Sequence, residues 1–371
     1  MGILLTKQSV AYAAISRGSS ASDEGIWRVK RPTINDIAKR AGVSIGAVSF
    51  ALNGRPGVSL ETRRRIIAIA DEMGWRPNAA ARGLSESRAH TVGLVLARPA
   101  DTLGIEPFFM KFISGLESQL TLSRTALLLQ VVPDHAKEIE AVGAWWAERR
   151  IDGLIVMDLW SEDSRVATLE TMKIPAVLVG RPRPDSALPA VWSDDAAAVA
   201  ETVDYLVGLG HTRIARVAGL PALEHTRVRG EAFRVALARH GLEPSAIIDT
   251  DYTWEAGAEA TTFLLTNRQR PTAITFDNDV MATAGLSVAR KLGVNVPGEL
   301  SIVAGDDSQL CEMVYPPLSA LSRDVQAYGM NTARTLLALL DGKEPASYQD
   351  ATARLRIRGS SVARSGSDRP V

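Results

Sequence analysis

The sequence predicts an α-helical headpiece with a helix-turn-helix, followed by an α/β body that contains two doubly wound parallel sheets. Two patterns lead to this fold class. Between residues 33 and 74, apolar residues recur at helical spacing in three short segments. From Thr91 onward, short apolar runs alternate with amphipathic segments, which is typical of buried parallel strands joined by helices. The roughly 270 residues of this second part suffice for two sheets with a cleft between them.

The headpiece begins with a short amphipathic helix. Its apolar residues recur at i, i+3, i+4 and i+7, namely Ile34, Ile37, Ala38 and Ala41. Thr33 can cap this helix, because Asp36 stands three residues later and can accept a hydrogen bond from the Thr33 N–H. Gly42 ends the helix.

Two further helices complete the headpiece. After a brief turn, Ser44 caps a helix that directs Val48 and Leu52 inward, so the first two helices form a helix-turn-helix. Ser59 caps the third helix, which ends before Gly74. The second helix leaves one set of residues free to contact a partner: Ser44, Ile45, Gly46, Ala47, Ser49 and Phe50.

The charge distribution favours a nucleic-acid partner for the headpiece. Twelve basic and five acidic residues lie between Arg28 and Arg88, a net charge of +7. The whole chain contains 42 basic and 42 acidic residues, so the remainder carries a net charge of −7. A basic module attached to an acidic body is typical of a nucleic-acid-binding protein whose larger part has another task.

These segments closely resemble the lactose repressor/galactose repressor family of bacterial transcription regulators. In the headpiece the resemblance rests on TINDIAxxAGVS from Thr33, VSxxLNG from Val48, VSxETR from Val58 and GWRPNAAARxL from Gly74. In the body it continues through GLGHTRIA from Gly208, RVRGEAF from Arg227, FDNDVMA from Phe276 and PPLS from Pro316. It covers Thr33 to about Arg358.

The resemblance implies a DNA-reading headpiece with a hinge helix after it. In the family the recognition helix lies in the major groove, and a hinge helix that folds on DNA inserts a leucine into the minor groove. Leu84 matches that leucine. The DNA-contacting residues implied are Thr33, Ile34, Ser44, Ile45, Gly46, Ala47, Ser49, Phe50 and Asn53 in the headpiece, and Asn78, Ala81 and Leu84 in the hinge.

The recognition helix departs from the family pattern. Ile45, Gly46 and Phe50 stand at positions that the family generally uses for base reading, yet none of them has a side chain that forms hydrogen bonds. Bidentate contacts worth about 1–3 kcal/mol are therefore missing there. We expect contacts with thymine methyl groups, the hydroxyls of Ser44 and Ser49, and deformation of the DNA to carry more of the sequence specificity.

The body is predicted to contain repeated strand–helix units. Apolar runs predict strands at Thr91–Ala97, Thr125–Val132, Gly153–Asp158, Ala176–Gly180, Ile214–Gly219, Ala273–Phe276 and Ser301–Gly305. The resemblance implies a last strand at Arg354–Gly359. Amphipathic segments predict helices at Phe108–Leu122, Lys137–Arg149, Ala196–Leu209, Thr226–Arg239, Trp254–Leu265, Asp279–Leu292 and Ala327–Leu340. By resemblance, the two sheets form subdomains of the periplasmic-binding-protein type, joined by crossings near residues 190, 318 and 347.

Residues that directly follow strands are candidates for a ligand site, because open α/β sheets bind ligands at the carboxyl ends of their strands. Carboxylates and amides there can bind hydroxyl groups, an arginine offers a bidentate fork, and an aromatic ring can stack on the C–H face of a sugar. The resemblance assigns contacts with effector hydroxyls to Arg227, Asn278 and Asp306. The predicted effector-binding residues are Phe108, Asp195, Arg227, Tyr252, Asn278 and Asp306.

Motifs of other functional classes are missing from the sequence. The five histidines and the single cysteine, Cys311, show no metal-ligand spacing, and the chain has no P-loop and no GxSxG elbow. We therefore expect no catalysis, no cofactor and no metal. No apolar run approaches the roughly 20 residues that span a membrane, and no signal-peptide pattern is found. We therefore expect no membrane association and a cytoplasmic location.

The sequence thus predicts a ligand-responsive repressor of carbohydrate-utilisation genes. We expect a homodimer that a sugar or sugar phosphate releases from an operator in double-stranded DNA. Two alternatives are a regulator activated by a corepressor and a freestanding sugar-binding protein of a transport system, which would need export and no headpiece. The predicted domains are a disordered extension at 1–30, a helix-turn-helix domain at 31–76, a hinge helix and linker at 77–90, an effector-binding and dimerisation domain at 91–358, and a flexible tail at 359–371.

Overall fold

The computed structural model describes residues 32–76, 88–98, 104 and 106–364. They belong to two compact units, Met1–Asn78 and Ala79–Val371. We call the described part of the first unit the headpiece and that of the second unit the body. Three predicted segments lie outside the described residues: the extension at 1–30, residues 77–87 of the hinge, and residues 365–371 of the tail.

The headpiece contains α1 (Ile34–Ala41), α2 (Ile45–Leu52) and α3 (Leu60–Glu72). A capping box begins α1, because Asp36 Oδ2 accepts a hydrogen bond from Thr33 N at 2.8 Å while Asp36 N donates to Thr33 Oγ1. Gly42 ends α1 at φ 65°, in the left-handed region that favours glycine. The hydroxyls of Ser44 and Ser59 cap α2 and α3. The predicted helix caps are confirmed.

The headpiece encloses a small apolar core. Ile37, Val48 and Ile66, one from each helix, are completely buried. Burying a side chain of this size stabilises the fold by about 1.5–3 kcal/mol. Because this core uses only one side of α2, the opposite side of that helix lies at the surface of the headpiece.

The body contains two sheets among its described residues. The first consists of β1 (Thr91–Ala97), β2 (Ala126–Val132), β3 (Gly153–Val156), β4 (Ala176–Val179), β5 (Ala190–Trp192) and β11 (Tyr348–Gln349), numbered in chain order. These strands lie in the order β11-β5-β4-β3-β1-β2, and all pairs are parallel. β3 and β4 are buried along their whole length, as expected for parallel strands covered on both faces.

The second sheet consists of β6 (Ile214–Ala218), β7 (Ala246–Asp249), β8 (Ala273–Phe276), β9 (Ser301–Ala304), β10 (Ser319–Ser322) and β12 (Arg354–Arg356). Its strand order is β12-β10-β9-β8-β6-β7. β12 runs antiparallel to β10, and the other pairs are parallel.

Helices cover both faces of the first sheet, as in a doubly wound fold. The described helices of the body are α4 (Pro107–Leu120), α5 (His135–Ala147), α6 (Ser164–Thr171), α7 (Asp195–Gly208), α8 (Glu224–Arg239), α9 (Trp254–Thr266), α10 (Asp279–Lys291), α11 (Gln309–Met313) and α12 (Val325–Leu340). Leu94 packs in the cluster that includes Phe112 of α4, whereas its neighbour Val95 packs in the cluster that includes Trp145 of α5. Successive residues of a strand point to opposite faces. The predicted fold class is confirmed.

The chain passes between the two sheets at three places. It leaves the first sheet after β5, returns to it after β10 and leaves it again after β11. After the second crossing, α12 packs directly on α4. A Cβ atom at Gly115 would lie 2.0 Å from the carbonyl oxygen of Gln326, and one at Gly329 would lie 2.2 Å from that of Phe112. The two glycines therefore allow the backbones of these helices to touch.

The structure differs from the sequence prediction in its shortest elements and in the tail. The patterns did not reveal β5, β7, β10, β11, α6 or α11. Three of these elements, β5, β11 and α11, contain only three, two and five residues, which is too few to show a period. The predicted flexible tail is wrong at its start. Ser360 is completely buried, and its hydroxyl donates to the carbonyl oxygen of Ile302 at 2.6 Å and accepts from Ser319 N at 2.8 Å. These contacts are polar, so hydrophobic patterning could not predict them.

Candidate functional site

A cavity lies between the carboxyl ends of the two sheets of the body. Its walls include Arg98 after β1, Asp158 after β3, Asn278 after β8 and Asp306 after β9. The cavity encloses about 960 Å³ of empty space including its mouth. The position of the cavity agrees with the strand-end rule for open α/β sheets.

Two arginines on the cavity wall form ion pairs. Arg98 Nε lies 2.8 Å from Asp158 Oδ2. Arg229 Nη2 lies 3.3 Å from Asp195 Oδ1. Burial opposes ionisation of both carboxyl groups, but the neighbouring guanidinium outweighs it and holds the pKa of each below its ordinary value. Both carboxylates are therefore charged at neutral pH and can accept hydrogen bonds from hydroxyl groups.

Three other carboxyl groups of the cavity have less positive charge near them to stabilise their ionised form. Burial raises the pKa of Glu106 to about 8 and that of Asp306 to about 6. Arg323 opposes the shift of Asp306, but its Nη2 atom lies 4.0 Å from Asp306 Oδ1. Burial also raises the pKa of Asp279, whose Oδ2 atom has no hydrogen-bond partner among the described residues. This wall therefore has more carboxyl groups than cations to balance them.

Aromatic rings contribute the apolar part of the cavity. The guanidinium carbon of Arg98 lies 4.9 Å from the ring centre of Tyr252 and 5.6 Å from that of Phe109, so two rings flank this charge. The Tyr252 hydroxyl lies 2.9 Å from both Thr226 Oγ1 and His225 Nε2. Burial lowers the pKa of His225 to about 4, so its imidazole is neutral at neutral pH.

Five predicted effector-binding residues line this cavity: Phe108, Asp195, Tyr252, Asn278 and Asp306. The prediction for Arg227 is wrong. Its side chain is 58% exposed, and its Nη2 atom lies 2.7 Å from Glu224 Oε1 on the same helix, α8. Arg229, two positions later, faces the cavity instead. A step of two residues rotates the side chain by about 200° around a helix, and the sequence motif did not show which arginine points inward.

Sequence reasoning missed several cavity residues: Arg98, Glu106, Asp158, Arg229 and Arg323. Arg98 follows a predicted strand and Asp158 ends one, so the rule that selected Asn278 could have found them. Arg323 follows β10, which no pattern revealed. Glu106 precedes α4 in a segment without a periodic signal, and no sequence feature indicates its position.

The exposed side of α2 is the candidate DNA-contacting surface of the headpiece. Ile45 and Phe50 are 52% and 41% exposed, whereas Val48 and Ala51 are buried in the core. Of the other predicted contacts, Thr33, Ser44, Gly46 and Asn53 are exposed, and Ile34, Ala47 and Ser49 are half-buried. The remaining three, Asn78, Ala81 and Leu84, lie outside the described residues. DNA contact by these residues stays a prediction.

The chemistry of the cavity is that of hydrogen-bonding groups around apolar rings, which suits a polyhydroxylated ligand. The described residues contain no group of three or more His, Cys, Asp or Glu side chains that could hold a metal ion. No helix in the described part of the chain is long and apolar enough to cross a membrane.

Comparison with known proteins identifies the family. Residues 33–78 match the bacterial regulatory proteins of the lacI family, and residues 203–361 match the periplasmic binding protein-like domain. Catabolite control protein A of Priestia megaterium is 31% identical over 310 residues, which cover 82% of this chain and 91% of that protein. The chain belongs to the LacI family.

Solved structures of LacI-family proteins share the fold. The lac repressor dimer bound to operator and the anti-inducer ONPF has a TM-score of 0.80 at 25% identity, covering 90% of this chain and 100% of that chain. A complex of the transcriptional regulator CelR with cellobiose has a TM-score of 0.68 at 28% identity, covering 89% and 100%. This LacI-family chain is a DNA-binding transcriptional regulator and not an enzyme. The predicted family and regulatory function are confirmed.

Proposed function

We propose that this LacI-family chain is a cytoplasmic, homodimeric repressor of carbohydrate-utilisation genes that an uncharged sugar releases from its operator. The observation that carries the proposal is the body cavity, which surrounds one space with polar groups from both sheets. A ligand that contacts both sheets favours one arrangement of them over another. A coupling of about 1–3 kcal/mol between ligand and operator is enough to change operator affinity 5- to 150-fold.

We propose that the predicted hinge around Leu84 transmits the change in sheet arrangement from the cavity to the operator. In a dimer, two hinge segments meet at the centre of the operator, where the family's leucine enters the minor groove. Unstacking a base step costs a few kcal/mol, so it is favourable only while the paired hinges fit the DNA. An effector that alters the spacing of the hinges therefore weakens operator binding.

The charges of the cavity favour an uncharged sugar over a sugar phosphate. Arg98 and Arg229 are already within 3.3 Å of carboxylates. A phosphate would have to compete for these arginines with the ionised carboxylates of Asp158 and Asp195, and these carboxylates would repel it. Hydroxyl groups can instead donate hydrogen bonds to the carboxylates and accept them from the arginines. The sugar in the CelR complex supports this class of effector.

Exposed apolar side chains support the homodimer. The edge strand β2 exposes Leu129 and Val131 by 40% and 39%, and Leu122 just before it is 76% exposed. In the second subdomain, Phe263 and Tyr315 are 63% and 87% exposed. Leu129 and Val131 are two positions apart and therefore lie on the same face of β2, and contiguous exposed apolar patches mark interaction surfaces in soluble proteins. Two copies also place two headpieces on a palindromic operator.

Thermal unfolding with matched pairs of ligands tests the effector class. The panel contains cellobiose, maltose and glucose, each beside its 6-phosphate. A ligand that binds only the folded state stabilises it by about 2.7 kcal/mol when present at 100 times its Kd. We expect a neutral sugar to raise the unfolding temperature of the body and its phosphate to leave it unchanged. A larger rise with the phosphate would contradict an uncharged effector, and a rise with no member of the panel would count against these sugars.

A further inference from the structure

The recognition helix α2 has no side chain suited to bidentate base recognition. Its sequence, IGAVSFAL, contains no Arg, Lys, Asn, Gln, Asp or Glu. The hydroxyl of Ser44 caps the helix by accepting a hydrogen bond from Ala47 N at 3.2 Å. The hydroxyl of Ser49 accepts one from Asn53 Nδ2 at 3.4 Å. The surface that α2 offers to a base pair is therefore apolar, apart from two hydroxyl groups that already have partners.

Two large apolar side chains project from this surface. Ile45 and Phe50 are 52% and 41% exposed, although the headpiece has a core that buries other residues of the same size completely. The Phe50 ring is held against the turn after α2, because a Cβ atom at Gly57 would lie 3.1 Å from Phe50 Cδ2. Gly57 has φ 117°, a conformation that side-chain-bearing residues rarely adopt. The backbone thus leaves room for the ring and fixes its position.

The headpiece that carries this apolar surface has an excess of basic side chains. Of the described headpiece residues, seven are basic: Lys39, Arg40, Arg55, Arg63, Arg64, Arg65 and Arg76. Four are acidic: Asp36, Glu61, Asp71 and Glu72. An excess of positive charge beside an apolar surface fits the major groove of a duplex, where phosphates flank the edges of the bases.

We propose that Ile45 and Phe50 read the operator through the 5-methyl groups of thymine. Thymine offers the one apolar group on the major-groove edge of a base pair, so apolar side chains can distinguish it from the other bases. The inference rests on the proposed operator binding and names the feature of the operator that is read. Five residues of helix separate Ile45 from Phe50 by about 7.5 Å along the axis, and base pairs are about 3.4 Å apart. Side chains this far apart contact different base pairs, so we expect two separate methyl groups in each half-site to be read.

Replacement of thymine by deoxyuridine tests this inference, because it removes only the methyl group. The preferred operator is first selected from random duplexes with the full chain. Each thymine of one half-site is then replaced in turn, and the Kd is measured by fluorescence anisotropy. Burial of one methyl group contributes about 0.8 kcal/mol, so we expect a loss of about fourfold at each of two positions.

Protein variants then assign each methyl group to a side chain. In the Ile45→Ala chain, deoxyuridine at one of the two thymine positions should change the operator Kd by less than about 1.5-fold. In the Phe50→Ala chain, the same should hold at the other position. Leu60→Ala is the matched control, because Leu60 is 73% exposed on α3 of the same headpiece. With the Leu60→Ala chain, deoxyuridine at each of the two positions should still weaken operator binding about fourfold. Thermal unfolding confirms that each headpiece variant is folded.

Three results would overturn the inference or its basis. Losses below about 1.5-fold at every thymine of a strongly selected operator would exclude methyl recognition. Losses that persist unchanged in Ile45→Ala and Phe50→Ala would assign the methyl groups to other residues. A chain that selects no preferred duplex at all would contradict the proposed operator binding itself, which is a different failure.

Discussion

Asn278 Nδ2 donates a hydrogen bond to Glu106 Oε1 across 3.2 Å and so connects the two sheets of the body on one wall of the cavity. Glu106 precedes α4, which packs on the first sheet, and Asn278 caps α10 at the end of β8 in the second. Both side chains are buried. An effector that enters the cavity must keep or replace this contact, which makes Glu106 a sensitive position for ligand binding and for pH dependence.

The Glu106 carboxyl group is predicted to make the stability of the body depend on pH. Burial raises the pKa of Glu106 from 4.5 to about 8, so the folded chain binds a proton between these values that the unfolded chain does not. Stability therefore falls as the pH rises through this window, by about 1.4 kcal/mol per pH unit for one full proton. The loss of unfolding free energy caused by ionised Glu106 is complete above about pH 8 and disappears as the pH falls towards 4.5.

We expect Glu106→Gln to remove this penalty, because glutamine stays neutral and its oxygen can still accept the hydrogen bond from Asn278. Urea unfolding should show a gain of about 3–5 kcal/mol at pH 8.5 and little change at pH 5. Glu344→Gln is the matched control, since Glu344 is exposed. An equal gain in both variants, or a pH dependence that Glu106→Gln leaves intact, would contradict the assignment.

Arg227 and Arg229 of α8 provide a matched test of the cavity. Arg229→Lys keeps the charge beside Asp195 but loses the guanidinium fork, so we expect sugar affinity to fall by about tenfold or more. Arg227→Lys should change it by less than about twofold, because the Arg227 side chain is 58% exposed and does not itself line the cavity. Isothermal titration calorimetry with the sugar found by thermal unfolding measures both. A larger loss of sugar affinity in Arg227→Lys than in Arg229→Lys would instead support the sequence prediction that Arg227 contacts the effector.

Gly219 is predicted to be indispensable for the position of Tyr252. A Cβ atom at Gly219 would lie 1.8 Å from Tyr252 Cζ, so Gly219→Ala must displace the ring. We expect this variant to lose about 1–3 kcal/mol of unfolding free energy and to bind sugar poorly. Gly143→Ala on α5 is the control, since no atom lies within 4 Å of its added Cβ. A Gly219→Ala protein as stable as Gly143→Ala, with normal sugar binding, would show that the ring is not held as described.

The sequence was sufficient for the parts of the fold that depend on local patterns. The Thr33–Asp36 capping box and the Gly42 helix end require only residues that are close in sequence. The apolar run of β3 likewise marks a buried strand by itself. The burial of Ser360 could not be predicted in this way, because its partners are Ile302 and Ser319, far away in sequence.

The cavity was only partly predictable for a related reason. The strand-end rule found Asn278 and Asp306 because it depends on topology alone. The choice between Arg227 and Arg229 depends on how α8 is rotated against the second sheet, and that rotation follows from the packing of residues such as Phe233 in the core. Glu106 belongs to the site only because Asn278 approaches it from 172 residues away. Contacts of this kind are visible only in the folded chain.

Control of operator affinity through the cavity is the central claim, and a titration of the operator complex tests it most directly. Fluorescence anisotropy of a labelled operator with the full chain is measured with increasing concentrations of the identified sugar. We predict that the sugar weakens operator binding by about fivefold or more. An Arg229→Lys chain that still binds the operator should need about tenfold or more sugar for the same effect. Unchanged operator affinity at sugar concentrations that saturate the wild-type cavity would contradict the account, and tighter binding would show that the sugar acts as a corepressor.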